Sequence, residues 1–82
     1  MHNRAAVIFK CPTKNIMVDI DVPLDITVVE MLSALNSAYE LNIDLDDASV
    51  CYLKSENPIA LLRGNRLLSE YGIRDGSAII YS

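Results

Sequence analysis

From residue 5 to residue 11 the side chains alternate, with Val7, Phe9 and Cys11 on one side and Ile8 and Lys10 on the other. A repeat of two marks a half-buried β-strand. Pro12-Thr13-Lys14-Asn15 is a cluster of turn formers, and residues 16–22 then give the clearest alternation in the chain. Val18, Ile20 and Val22 are expected to face inward, and Met17, Asp19 and Asp21 outward. The two runs predict an amino-terminal hairpin.

Pro23-Leu24-Asp25 ends this pattern, and the period changes. Thr27-Val28-Val29-Glu30 fits a capping box, in which the Thr27 hydroxyl serves the Glu30 N–H and the Glu30 carboxylate reaches back. Ile26 and Met31 flank it at the spacing of a hydrophobic staple. Val28, Met31, Leu32, Leu35, Ala38 and Tyr39 then recur at intervals of three and four, which predicts a helix with one apolar stripe. Asn42 is the expected left-handed cap, with Ile43 folding back onto the last turn.

Leu45-Asp46-Asp47-Ala48 reads as a loop and residues 49–54 as a third strand. Ser55-Glu56-Asn57-Pro58 is a turn, followed by a short strand or extended segment over residues 59–62 that ends near Gly64. Residues 67–73 read as a loop with one helical turn. Asp75-Gly76 leads into a closing strand from Ala78 to Tyr81. The expected architecture is an α+β roll, a mixed sheet of four to five strands crossed by one main helix. Its inward face is expected to be Val7, Phe9, Val18, Ile20, Val50, Tyr52, Ile79 and Tyr81.

With 82 residues the chain suits one domain, burying roughly 60% of its unfolded surface. Apolar residues make up 51% and charged residues 22%, so no segment is too polar to fold. The net charge of −4 is spread evenly, each half carrying −2. Neither half offers the basic face that nucleic-acid binding or an anionic membrane surface requires. The apolar run of residues 5–9 is too short for a signal-peptide core or a membrane span.

Candidate chemistry fails residue by residue. Cys11 and Cys51 lack metal-like spacing and read as reduced, half-buried small hydrophobes. His2, the single histidine, sits near the amino terminus without a ligand partner, which suits a frayed end. Asp44, Asp46 and Asp47 invite a calcium site, yet an EF-hand counted from Asp44 puts Ser49 and Ser55 where glycine and glutamate belong. A solvated acidic loop is the reading. Ser33 and Ser69 have neither a nucleophile-elbow context nor a base, and no phosphate-cradling glycine motif exists. The sequence therefore assigns no catalytic, metal or cofactor residues, no small-molecule substrate and no enzyme activity.

Leu67-Leu68-Ser69-Glu70-Tyr71-Gly72-Ile73 resembles the leucine-serine-acidic-tyrosine turn of ubiquitin and its β-grasp relatives. The strand bearing Val18, Ile20 and Val22 and the Asp25-Ile26-Thr27-Val28 approach to the helix complete the likeness, which implies that residues 1–82 form a single ubiquitin-like domain. Modifiers and sulfur carriers of that superfamily use a carboxy-terminal Gly-Gly arm. Here Gly64, Gly72 and Gly76 are internal and Ser82 follows Tyr81 directly, so acyl activation is expected to have no arm to act on. The chain is most similar to the YukD/EsaB type of bacterial type VII secretion systems, which share the length and the Asp-Gly before the last strand. Residues 41–48 carry no motif that matches.

That resemblance implies a cytoplasmic, non-enzymatic accessory protein, acting by protein–protein contact and held near the inner membrane face only through a partner of the secretion apparatus. The outer sheet face, namely Ile8, Met17, Cys51, Leu53 and Ile80, rimmed by Lys10, Asp19 and Lys54, offers either a docking surface or the scattered exposed hydrophobes that any domain carries. Arg63, Arg66 and Arg74 offer either a basic spot for an acidic partner or a solvated edge. Two other readings stay open: a modifier or sulfur carrier whose tail is absent from this sequence, and a β-grasp domain of a larger membrane component of the same machinery.

Overall fold

A computed structural model describes residues 3–81. His2 and Ser82, on which the frayed end and the missing arm were read, lie outside the described residues. Strand β1 (Arg4–Cys11) pairs with β2 (Ile16–Pro23) in unbroken antiparallel register, from Arg4 opposite Pro23 to Cys11 opposite Ile16. The link is a 3₁₀ turn, Pro12–Lys14, closed by Asn15 at φ 59°. Asn takes this left-handed conformation more readily than most residues because its short amide bonds locally.

Helix α1 (Val28–Tyr39) starts as its sequence predicts. The Glu30 N–H donates to Thr27 Oγ1 at 3.1 Å, and the Thr27 N–H donates to Glu30 Oε1 at 2.9 Å. The two preceding helical donors, which no turn of the helix itself can satisfy, are met from elsewhere in the chain. Val28 N–H bonds the Arg66 carbonyl at 3.0 Å and Val29 N–H the Gly64 carbonyl at 3.2 Å. Val28, Met31, Leu32 and Leu35 are buried. The helix ends earlier than expected, because Glu40 itself is left-handed at φ 53° and Asn42 follows at φ 59°. Asn36 then holds the returning chain, its side-chain carbonyl accepting the Ile43 N–H at 2.9 Å and its amide donating to the Ile43 carbonyl at 3.3 Å.

Strands β3 (Tyr52–Glu56), β4 (Ala60–Arg63) and β5 (Ala78–Ile80) complete a five-stranded sheet in the order β2-β1-β5-β3-β4. The β1–β5 pair is parallel and the others antiparallel, so this is the mixed sheet and single helix the pattern predicts. Val7, Phe9, Leu53, Leu62, Leu68 and Ile79 are fully buried beneath α1, and Phe9 meets Tyr39 with ring centroids 5.5 Å apart. A second 3₁₀ turn, Leu68–Tyr71, locks onto the approach to the helix. Leu68 N–H donates to the Ile26 carbonyl at 2.9 Å and Ser69 N–H to the Leu24 carbonyl at 3.0 Å. The Tyr71 hydroxyl donates to the Arg63 carbonyl at 3.1 Å.

The third strand departs from expectation in both place and facing. It begins at Tyr52, because Val50 and Cys51 belong to a turn in which their N–H groups bond the Asp47 and Ala48 carbonyls. Leu53 and Ser55 point inward, at 0% and 3% exposure, and Tyr52, Lys54 and Glu56 point outward. Burial of Ser55 is tolerated because its hydroxyl donates to the Pro58 carbonyl at 2.7 Å. Leu53 is therefore a core residue, and Tyr52 is not an inward one.

Candidate protein-binding surface

The outer face of the sheet is built from alternate residues of all five strands. Direct partners across a sheet share a face, and the register makes Met17, Lys10, Ile80, Lys54 and Leu61 successive neighbours from β2 to β4. Apolar and basic side chains thus alternate along one row. Met17 is 72% and Leu61 47% exposed, while Ile80 is half-buried between the two lysines. The neighbouring row runs Asp19, Ile8, Ala78, Glu56. Ile59, beyond the start of β4, is 91% exposed, and with Leu61 and Ile80 it bounds a shallow hollow of about 450 Å³.

The charges on this face are lightly committed. Lys10 Nζ lies 3.8 Å from Glu56 Oε1, and Arg4 pairs with Asp21 at 2.9 Å. Lys54 makes no ion pair among the described residues. An exposed pair of this kind contributes about 1 kcal/mol at most, so a partner can replace it at little cost.

Of the residues expected on this face, Ile8, Met17 and Ile80 are there and Leu53 is not. Cys51 is half-buried and lines a separate hollow beside Val29, Leu45 and Gly64. Its thiol donates to the Asp44 carbonyl at 3.3 Å, and burial together with Asp44, Asp47 and Asp46 pushes its pKa up. Leu61, Ile59 and Tyr52 belong to the outer surface and were not anticipated. Leu61 was traceable in principle, since it alternates with buried Leu62 and faces the same way as Arg63.

The acidic loop uses the carboxylates of Asp44 and Asp47 internally. Asp44 Oδ1 accepts the Asp46 N–H at 3.0 Å, and Asp47 Oδ1 accepts the Ser49 N–H at 3.0 Å and the Ser49 hydroxyl at 2.6 Å. Those two bonds hold the Asp47 pKa below its ordinary value. The arginines serve separate partners. Arg63 stands opposite Tyr52, Arg66 lies 4.0 Å from Glu70, and Arg74 donates to Asn57 Oδ1 at 3.2 Å. A larger hollow, about 690 Å³, lies at the end of α1 among mainly polar side chains including Lys14, Asn36 and Glu40. Among the described residues no helix is long and apolar enough to cross a membrane.

The architecture is that of ubiquitin-like domains. The chain is similar to the C-terminal ubiquitin-like domain of mouse tubulin-specific chaperone e, at 13% identity and TM-score 0.70 over 99% of this chain and 89% of that one. It is also similar to the UBL domain of Plasmodium falciparum Dsk2, at 18% identity and TM-score 0.60 over 96% and 99% of the two chains. The ubiquitin-like domain of Arabidopsis thaliana protein At2g32350 aligns at 20% identity and TM-score 0.65, over 95% and 74%. At such identities the likeness carries the fold alone. No curated protein matches the chain in sequence. A protein family does: the description "WXG100 protein secretion system (Wss), protein YukD" matches residues 5–80. That match takes in the helix and, but for Arg4, all five strands, and the chain belongs to the YukD family of secretion-associated ubiquitin-like proteins.

Proposed function

We propose that this protein is a non-enzymatic accessory subunit of the WXG100, or type VII, secretion machinery that works by non-covalent contact through its outer sheet face. The observation that carries the reading is the row Met17, Lys10, Ile80, Lys54, Leu61, which offers three apolar side chains with two lysines between them. Exposed apolar groups ringed by charge are the usual signature of a protein contact. Family membership supplies the setting. The partner is a protein of the secretion apparatus, which would hold this chain at the cytoplasmic face of the membrane without insertion of its own.

Conjugation is the competing reading, and the glycines of the described residues lend it no support. Gly64, Gly72 and Gly76 all adopt positive φ, between 75° and 88°, and serve turns inside the fold. Gly76 donates its N–H to the Ala6 carbonyl at 2.9 Å.

Ile80→Glu tests the proposal, because Ile80 is at the centre of the row. The variant is expected to keep its melting temperature within a few degrees and to lose capture of the secretion apparatus. Undiminished capture would reject the sheet face. The intact mass of the full-length gene product after incubation with cell extract and ATP tests the non-covalent part, and an adduct on its carboxyl terminus would reject it.

A further inference from the structure

The spacing of the outer row fits one kind of occupant. Neighbouring strands lie about 4.8 Å apart, so apolar side chains on every second strand recur at about 10 Å. Met17, Ile80 and Leu61 follow that interval, and Lys10 and Lys54 fill the positions between them. An α-helix repeats a side-chain position every seven residues, a rise of about 10.5 Å. A helix laid across the strands therefore meets Met17, Ile80 and Leu61 with residues i, i+7 and i+14, and presents the intervening turns to the lysines.

Charge decides what those turns carry. The protein has a net charge of −4, yet the two positions that flank Ile80 in this row are both cationic. Lys54 has no ion pair among the described residues, and Lys10 has only the exposed contact to Glu56. Asp19 and Glu56 stand at the two ends of the adjacent row. They would repel carboxylates placed over them, which turns an acidic ligand away from that row and toward the lysines.

Building on the reading that the sheet face is the docking surface, we infer that its partner element is an amphipathic α-helix of about 15 residues, apolar at seven-residue intervals and acidic between them. It crosses all five strands. Its apolar stripe covers Met17, Ile80 and Leu61, and its carboxylates pair with Lys10 and Lys54.

Two synthetic helices test this against the isotope-labelled chain by nuclear magnetic resonance. Both carry leucine at every seventh position, and they differ only in having glutamate or lysine at the intervening contact positions. The acidic peptide is expected to shift the amide signals of Met17, Lys10, Ile80, Lys54 and Leu61 and to bind about tenfold more tightly than the basic one. The Lys10→Glu/Lys54→Glu double variant, checked for folding by its own spectrum, is expected to reverse that preference. Equal binding of the two peptides, an unchanged preference in the double variant, or shifts confined to another surface would overturn the inference. If neither peptide shifts the row while Ile80→Glu still loses capture of the secretion apparatus, the acidic helix is rejected and the docking face stands. If Ile80→Glu has no effect either, both fall.

Discussion

Leu53 stands directly opposite Leu62 across the β3–β4 pair, and both side chains are fully buried. The contact joins the edge strand to the core under α1. Leu53→Ala is expected to destabilise the fold by about 2–5 kcal/mol, the usual cost of lost burial plus a cavity. Urea unfolding should show a lower midpoint at unchanged slope. Ile80→Ala, on the other face, should cost clearly less. The reverse ranking would return Leu53 to the surface.

The reciprocal Thr27–Glu30 bonds predict non-additive losses. Thr27→Ala should cost about 1 kcal/mol, and Glu30→Ala a smaller amount. The double variant should lose less than the two together, since each removal already breaks part of one closed unit. Simple additivity in equilibrium unfolding would mean that the two bonds act independently.

Ser77 is wholly buried, and its hydroxyl donates to the Asn57 carbonyl at 2.7 Å while accepting the Arg74 N–H at 3.0 Å. This one atom ties the β3–β4 turn to the approach of β5. Ser77→Ala strands two backbone groups and should cost about 1–3 kcal/mol. Hydrogen exchange at the Arg74 amide should accelerate more than at Leu53, where the register is untouched.

Cys51 should be a slow thiol. Burial and three aspartates hold its pKa above the ordinary cysteine value, so at a given pH less thiolate is present to react. Alkylation at mildly alkaline pH is expected to lag behind a free cysteine. Replacing Asp46 and Asp47 with asparagine should lower the pKa and speed the reaction, and no acceleration would exclude the charge contribution.

Ser49→Ala addresses the opposite shift at Asp47. The Ser49 bonds favour the carboxylate, so they stabilise the folded loop above the ordinary aspartate pKa and lose that effect as pH falls through the lowered folded value. The variant should bring the Asp47 titration, followed by carboxyl resonances, back toward its ordinary range. An unmoved titration would reject the hydroxyl as a cause.

The amino-terminal half was legible because its signals agree with one another. Period-two runs bracket a turn cluster, and a capping box sits where the period changes to that of a helix. The third strand was not, since Val50 favours a strand by composition but is held in a turn by the Asp47 carbonyl. Lys54 and Glu56 did mark an outward face, but buried Ser55 between them hid the alternation. Its partner, the Pro58 carbonyl, becomes visible only once the turn is folded. The docking face followed the same rule. Ile8, Met17 and Ile80 lie on strands read in correct phase, whereas Leu53 and Cys51 inherited the phase error. The match of Met17, Ile80 and Leu61 to one row required the strand order, which no local pattern contains.

That order gives β5 a part in biogenesis. It is made last of the five strands, yet it lies in the middle, bonded to β1 on one side and β3 on the other. Until it leaves the ribosome, the two earlier hairpins have no shared seam and the sheet is divided in two. Nascent chains halted before Ala78 should therefore stay protease-sensitive and dependent on chaperones, and those released beyond Tyr81 should acquire resistance in a single step.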